Sequence, residues 1–289
     1  MRGMALTVSR PRTVEEFLAQ AGDFLARHEA EHNLLLGIAS TIRQSPEIYG
    51  EPPRFAVVSD EQGTVKAATL QTPPFNVVLS MSEDEAATDA LADALRGDPL
   101  PGVLGPKDVA ARFAARWAGA GRTAALDVAE RIFRLDRLIP PMRPARGRWR
   151  IAEERDRTTI ARWLVAFREE ADPESPPMQD PDDTAGRWIA QVGRIVYLWD
   201  DDDEVVSMVG AGGETPNGIR IGPVYTPPER RGNGYASSLT AAASQDQLDR
   251  GRRFVFLFTD LANPTSNKIY QAIGYEPVID IDMYRFADA

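Results

Sequence analysis

The strongest chemical signal in the sequence is a short basic turn, Arg230-Arg231-Gly232-Asn233-Gly234. Glycine accepts backbone dihedral angles that other residues avoid, and it lets a ligand approach the main chain. The turn precedes a predicted helix that begins at Tyr235, and the N–H groups at a helix N-terminus carry a partial positive charge. Two arginines beside those groups can pair with phosphate oxygens. We therefore predict that the turn binds a phosphate-bearing ligand, a diphosphate in particular.

The elements that flank the turn would hold it in place. Alternating apolar residues predict a strand over 219–225, and a helix follows over 235–249, closed by Gly251. Five consecutive apolar residues at 254–258 then predict a buried central strand. Gly222-Pro223 lies inside the first strand, where Pro cannot donate a sheet hydrogen bond. We expect a bulge there that separates the two strands.

Three phosphate-binding motifs can be compared with the turn. A P-loop needs Gly-Lys-Ser/Thr, whereas Tyr and Ala follow Gly234. The dinucleotide fingerprint places its first glycine next to the strand, whereas residues 227–231 intervene here. The segment from Glu229 to Gly234 instead resembles the acetyl-CoA motif of the GNAT superfamily of N-acetyltransferases, Gln/Arg-x-x-Gly-x-Gly/Ala. Glu229 departs from that motif and removes one usual diphosphate contact, for which Arg230 is the candidate replacement.

The resemblance continues after the second strand, where such enzymes carry an Asn and a Tyr on a short helix. Asn263-Pro264 is a helix start, because a capping side chain precedes Pro at the first helical position. Asn263, Asn267 and Tyr270 are spaced four and three apart and so share one helix face. By the resemblance, this face meets the pantetheine arm and Tyr270 lies beside the thioester sulfur. A purely capping Asn263 and a core Tyr270 remain open alternatives.

The resemblance implies an enzyme that transfers acetyl from acetyl-CoA, its co-substrate, directly to a primary amine of a small molecule or protein. In that role Tyr270 would protonate the departing thiolate, and the backbone at Val224 would polarise the thioester carbonyl. Contacts to acetyl-CoA are expected from the strand, the turn, the start of the next helix and the later helix: Val224, Tyr225, Thr226, Arg230, Arg231, Gly232, Asn233, Gly234, Tyr235, Ala236, Asn263, Ser266, Asn267 and Tyr270.

An amine acceptor must lose a proton before it attacks, because an amine with a pKa of about 10.4 is only about 0.1% neutral at pH 7. Glu169 and Glu170 are the candidate bases, since in this superfamily the loop between the first two helices borders the acceptor. A solvated acidic loop over 169–174 is an equally good interpretation of the same residues.

The order of predicted elements is the same in both halves of the chain. Helices over 13–50 are followed by strands at 55–58, 64–72 and 76–81, a helix at 83–95, a strand at 102–104, a helix at 108–117 and a strand at 132–135. In the C-terminal half, residues 277–286 are predicted to close the sheet. We therefore predict an α/β (α+β) fold of two GNAT-like domains in tandem, each a mixed, mostly antiparallel sheet flanked by helices. They comprise a degenerate N-terminal domain (1–138), a Pro- and Arg-rich linker (139–147) and an acetyl-CoA-binding catalytic domain (148–289).

The N-terminal domain is not expected to bind CoA. Its counterpart of the turn, residues 80–85, contains three carboxylates and neither Gly nor Arg. Carboxylates a few ångströms from a diphosphate would repel it by about 1–4 kcal/mol per pair of charges.

One motif points to different chemistry. His28-Glu29-Ala30-Glu31-His32 matches the His-Glu-x-x-His of zinc peptidases, in which two His on one helix face hold the metal and Glu is the base. The chain has no other His, so the third ligand would be a carboxylate such as Glu47 or Glu51. We favour a charged helix face that happens to hold two His, and we expect no metal.

Composition limits the remaining function classes. The 289 residues include no Cys, which excludes disulfides, thiolate metal sites and a Cys nucleophile. The net charge of −10 opposes nucleic-acid binding, and no apolar run is long enough to span a membrane. We expect a cytoplasmic monomer or homodimer. The alternatives are a non-catalytic CoA-binding or interaction module and an aminoacyl-tRNA-dependent transferase, which the acidic charge and the intact turn count against.

Overall fold

A computed structural model of the protein describes residues 5–119, 121–171 and 177–288. The chain divides into two compact units. Unit 1 comprises Met1–Phe133, Phe258–Pro264 and Pro277–Ala289, and unit 2 comprises Arg134–Leu257 and Thr265–Glu276. The boundaries predicted from the sequence, 1–138 and 148–289, stay predictions. Within the described residues, no helix combines the length and the apolar character that a membrane span requires.

Unit 1 is built on a sheet with the strand order β1-β2-β3-β4-β5-β12-β6. Its elements are β1 (Thr7–Ser9), α1 (Val14–Arg27), α2 (Asn33–Gln44), β2 (Arg54–Ser59), β3 (Val65–Gln71), β4 (Val77–Leu79), α3 (Glu85–Ala94), β5 (Gly102–Pro106), α4 (Lys107–Ala118), β6 (Arg122–Leu135) and β12 (Glu276–Asp288). β4 and β5 run parallel, whereas β1–β2, β2–β3, β3–β4 and β5–β12 are antiparallel pairs.

Helices cover both faces of the unit 1 sheet, and this follows from the apolar pattern of β2. Successive side chains of a strand point to opposite faces. Phe55 and Val57 pack with α1 and α2, whereas Ala56 and Val58 pack with α3 and α4. The four central residues of β2 are thus buried on both faces of the sheet, which fixes the register of the strand.

The first helical region is predicted only as helices over 13–50. The structure has two helices there, α1 and α2, separated by a turn at 28–32. The predicted start is confirmed, since Thr13 caps α1 by accepting from the Glu16 N–H. The turn is stabilised by polar side chains that donate hydrogen bonds to backbone carbonyl groups. Asn33 Nδ2 donates to the Ala30 carbonyl at 2.7 Å, and His32 Nδ1 donates to the Leu25 carbonyl.

Unit 2 has the strand order β11-β10-β9-β8-β7. Its elements are β7 (Arg148–Ile151), α5 (Arg157–Ala171), α6 (Pro181–Ile189), β8 (Arg194–Asp201), β9 (Glu204–Gly212), β10 (Gly218–Tyr225), α7 (Tyr235–Asp249), β11 (Phe254–Asp260) and α8 (Pro264–Ala272). β10 and β11 are parallel, and the remaining pairs are antiparallel. Ile160, Trp163 and Leu164 of α5 pack on β8 and β9, as their helical spacing predicts.

Two strands depart from the sequence-based predictions. β6 begins at Arg122 rather than at 132, because its first half is exposed and lacks the apolar pattern. β12 is predicted to complete the sheet of the C-terminal half, but it pairs antiparallel with β5 from Ile281–Pro106 to Arg285–Gly102. The residues of each strand do not indicate which distant strand it pairs with, so this pairing could not be predicted from the sequence.

Candidate functional site

The basic turn adopts the backbone conformation that its glycines permit. A 3-10 turn at Pro228–Arg230 leads into Arg231, and Gly232 and Gly234 have φ angles of 82° and 79°. A Cβ atom at Gly232 would meet no described atom within 4 Å, and one at Gly234 would meet only Ala145 Cβ at 3.9 Å. The glycines are thus required by the left-handed backbone rather than by crowding, and the space beside them is open to a ligand.

The N-terminus of α7 supplies backbone donors to that space. Its N-cap is Gly234, which has no side chain to accept from the first N–H groups, and the first turn holds no acidic residue. In α3 of unit 1, by contrast, the Asp84 carboxylate accepts from the N–H groups of Ala86 at 2.9 Å and Ala87 at 3.3 Å. The anion-binding end of α3 is therefore filled by its own chain, while that of α7 is left for a ligand.

Both arginines of the turn contact carboxylates. Arg230 pairs with Glu204 of β9. Arg231 donates from Nε to the Thr226 carbonyl at 2.8 Å and from Nη2 to Glu170 Oε2 at 2.5 Å. Asn233 Nδ2 donates to the carbonyls of both arginines, at 3.0 and 3.3 Å, and so fixes the turn internally. Both guanidinium groups are thus held by carboxylates of neighbouring elements, and guanidinium groups can pair with phosphate oxygens.

The predicted bulge in β10 is confirmed. The register of β10 against β9 shifts between Ile221 and Val224, on either side of Gly222-Pro223. The parallel register with β11 runs from Gly218–Phe254 to Arg220–Phe256, and β10 then continues to Tyr225. The backbone of Val224 is paired with Val209 on its β9 side. The other edge of β10 after Arg220 is therefore where an extended ligand arm can pair with a strand.

Tyr270 lies on α8 and is partly buried. Its ring centroid is 6.1 Å from that of Tyr275, edge to face. Burial raises the pKa of Tyr270 to about 12, so its hydroxyl keeps its proton at neutral pH and can donate it. Asn263 directly precedes α8, and its backbone N–H donates to the Asp260 carbonyl at 3.0 Å. The cofactor roles of Asn263, Ser266 and Asn267 stay predictions.

Glu169 and Glu170 lie in the last turn of α5, which extends to Ala171, and not in a loop. Glu is a good helix former and continues the helix. Both residues are exposed, but Glu170 accepts from the Tyr225 hydroxyl at 3.2 Å and from Arg231. The rest of the predicted acidic loop, residues 172–174, lies outside the described residues.

A cavity of about 560 Å³ opens beside the start of the turn. Its walls come from α5, the first residues of β9, the end of β10 and residues 227–230. Trp163 and Tyr225 supply aromatic surface, with ring centroids 5.9 Å apart, and Arg162, Glu204 and Glu229 supply charge. The cavity thus offers both apolar and ionic contacts within reach of the turn.

Comparison with known families identifies this part of the chain. Residues 158–275 match the model of the acetyltransferase (GNAT) family. This segment is similar to the GNAT family. The matched residues run from α5 through the basic turn to the residue after Gly274, and they include Tyr270. The predicted resemblance to the GNAT superfamily is confirmed over these residues.

Solved structures extend the likeness to the whole chain. A Drosophila protein matches with a TM-score of 0.66 at 12% identity over 99% of each chain. A tandem GNAT protein from the clavulanic acid biosynthesis pathway matches with a TM-score of 0.61 at 16% identity over 98% of each chain. A GCN5-related N-acetyltransferase from Sphaerobacter thermophilus matches with a TM-score of 0.60 at 16% identity, over 98% of this chain and 95% of that one. The predicted tandem GNAT-like fold is confirmed. The comparison with curated proteins found no match.

The His-Glu-x-x-His segment lies outside the GNAT family match and does not form a metal site. His32 is buried, its Nδ1–H donates to the Leu25 carbonyl, and its Nε2 accepts from the Met81 N–H at 3.0 Å. Both ring nitrogens are used, so neither can bind a metal. The two His are also not on one helix, because α1 ends at Arg27. The zinc-peptidase interpretation is therefore wrong, and His32 joins the turn at 28–32 to the end of β4.

The buried His32 should make the protein less stable in mild acid. Burial lowers the pKa of His32 below its ordinary value of about 6.5. Because the unfolded chain binds the proton more readily, the stability contributed by neutral His32 is complete above pH 6.5 and is lost as the pH falls through the lowered pKa. We expect the melting temperature to fall between pH 7 and pH 5.

The half-exposed His28 provides the matched control for this pH effect, and with Glu31 it is a titratable neighbour of His32. The acid-induced fall should persist in His28→Asn and be reduced in His32→Asn, as measured by thermal unfolding at each pH. If the melting temperature falls equally in the wild type and in His32→Asn, another titratable group is responsible for the loss of stability in acid.

The structure adds two site residues that the sequence reasoning missed. Asp201 accepts from the Tyr235 hydroxyl at 2.5 Å, and Glu204 pairs with Arg230. Both belong to the β8–β9 hairpin. The sequence could have indicated both residues, because the acidic charge of this hairpin complements the basic charge of the turn.

Proposed function

We propose that the protein transfers an acetyl group from acetyl-CoA to a primary amine of a small molecule or protein, using the GNAT domain of unit 2. The observation that carries the proposal is the start of α7: this helix of 15 residues begins at Tyr235, and its N-cap, Gly234, provides no side-chain cap and follows Gly232 and two arginines in the chain. A diphosphate suits both the free N–H groups and the guanidinium charges.

The remaining parts of acetyl-CoA would follow β10. Its pantetheine arm would pair with Val224 and Thr226 on the edge of β10 after Arg220. The backbone N–H at Val224 would then stabilise the oxyanion that forms when the amine attacks the thioester carbon. As the C–S bond breaks, the Tyr270 hydroxyl would donate its proton to the sulfur, and the amine would release its own proton to a base.

The contacts of the two candidate bases favour Glu169. Glu170 already accepts hydrogen bonds at both carboxylate oxygens, from Tyr225 and Arg231. Glu169 is exposed on the same helical turn and can accept the amine proton directly or through water. The net charge of −10 favours an acceptor that is a cation before it reacts.

We expect one CoA per chain. In unit 1 the Asp84 carboxylate occupies the start of α3. Strands β4 and β5 also lie close together, since a Cβ atom at Gly105 of β5 would lie 2.9 Å from Leu79 Cβ. This leaves no gap between the two strands for the pantetheine arm of CoA. Calorimetric titration of the protein with CoA should give a stoichiometry near one, and Gly234→Glu should remove that site. Two equivalent sites in the wild type would contradict the assignment to unit 2 alone.

A thiol-release assay over a panel of amines tests the proposal. CoA freed from acetyl-CoA carries a thiol, and the protein contributes none because it has no Cys. We expect thiol release that depends on at least one amine. If CoA binds but no amine is turned over, the alternative of a non-catalytic CoA-binding module is correct. If CoA does not bind, the proposed function fails altogether.

A further inference from the structure

We propose that Glu170 is a positioning residue for the phosphate-binding turn and acts through Arg231 rather than on the amine. This inference rests on the proposed function, because the turn matters only if it binds the diphosphate of CoA. It assigns to Glu170 a task different from proton abstraction, and the two tasks predict different kinetics.

The contacts form a chain from the core of unit 2 to the turn. Tyr225 is only 6% exposed, and its ring lies 5.9 Å from that of Trp163 in α5. Its hydroxyl donates to one oxygen of Glu170 at 3.2 Å, and the other oxygen accepts from Arg231 Nη2 at 2.5 Å. Arg231 Nε in turn donates to the Thr226 carbonyl at 2.8 Å. A buried tyrosine thus fixes a carboxylate, which orients the arginine.

Orienting Arg231 matters because its side chain is long and 48% exposed. A free arginine on the surface samples many rotamers, and immobilising it on binding costs affinity. Glu170 accepts from Nη2 and the Thr226 carbonyl accepts from Nε, which fixes the plane of the guanidinium group of Arg231, the residue before Gly232. A guanidinium held in one plane is pre-organised for the oxygens of a diphosphate.

Two variants separate a positioning role from a role as the catalytic base. Glu170→Gln should weaken CoA binding about threefold to tenfold, because a neutral amide holds a cation less well than a carboxylate. Its kcat at saturating acetyl-CoA and the pH dependence of kcat should stay close to those of the wild type. Tyr225→Phe keeps the ring against Trp163 and removes the tie to Glu170, so it should weaken CoA binding in the same direction.

A double-mutant cycle tests whether Glu170 acts through Arg231. In an Arg231→Met background, Glu170→Gln should cause no further loss of CoA affinity. Glu154→Gln is the matched control, since it removes the same charge in unit 2 but its partner is Arg157. We expect wild-type CoA affinity for that control. Dissociation constants come from calorimetry, and thermal unfolding of each variant shows that it is folded.

Each other outcome overturns the inference. Independent, additive losses in the cycle would show that Glu170 does not act through Arg231. A large fall in kcat for Glu170→Gln, with loss of the acidic limb of the pH profile, would make Glu170 the base. Unchanged CoA affinity in Glu170→Gln would remove any role in the turn. A wild-type protein that fails to bind CoA would instead refute the proposed function itself.

Discussion

Tyr270→Phe is expected to lower kcat by about 10²–10⁴-fold, the usual contribution of a general acid. The substitution keeps the ring and its packing against Tyr275 and removes only the hydroxyl. A thiolate that departs without a proton from an enclosed site is costly, so the loss should appear in kcat rather than in CoA affinity. Steady-state kinetics with acetyl-CoA and a productive amine would measure it. The loss should be smaller for an acyl donor whose thiol is already a weak base.

Tyr275→Phe makes the same chemical change nearby and serves as the control. The Tyr275 hydroxyl is buried and bonded to Ser244 Oγ at 2.7 Å. Removing it should cost about 1 kcal/mol of stability and leave kcat near its wild-type value. If Tyr270→Phe turns over acetyl-CoA within about threefold of wild type, Tyr270 is a core tyrosine and the acid lies elsewhere.

Gly234→Glu is expected to abolish CoA binding while the protein stays folded. The new carboxylate would lie at the start of α7, where it could accept the N–H groups that a diphosphate needs, as Asp84 does in α3. Gly234 also has a φ of 79°, a conformation that costs other residues about 1–2 kcal/mol. Calorimetry would measure CoA binding, and circular dichroism would report folding.

Gly234→Asn separates charge from backbone strain in this experiment. Asn tolerates a positive φ better than most residues and carries no charge. It should weaken CoA binding far less than Gly234→Glu does. Unchanged CoA affinity in Gly234→Glu would refute the assignment of the turn as the diphosphate site.

Local patterns in the sequence predict most of the elements around the turn. The predicted helix over 235–249 coincides with α7, because Gly234 and Gly251 mark its ends and its composition is helical. The bulge at Gly222-Pro223 was also predictable, since a Pro inside a strand must interrupt its pairing. Such signals are carried by the segment itself and need no tertiary information.

The features that the sequence did not predict depend on distant contacts. The break between α1 and α2 is stabilised by His32, whose Nε2 accepts from Met81, 49 residues away. The ties of Glu170 to Tyr225 and Arg231 join residues 55 and 61 positions apart. The sequence shows a helical pattern at 13–50 and an acidic pattern at 169–174. Neither pattern indicates which distant residues these segments contact.

The pairing of β12 with β5 has a consequence for how the chain can fold during synthesis. Residues 281–285 complete an edge of unit 1, yet the ribosome adds them after the whole of unit 2. Until then, β5 presents unpaired N–H and C=O groups on that edge, a template for association with other chains. Unit 1 therefore cannot finish folding first, although N-terminal domains generally do. The same reasoning applies to expression: a fragment cut at the linker would leave β5 open, so the two halves should be produced together.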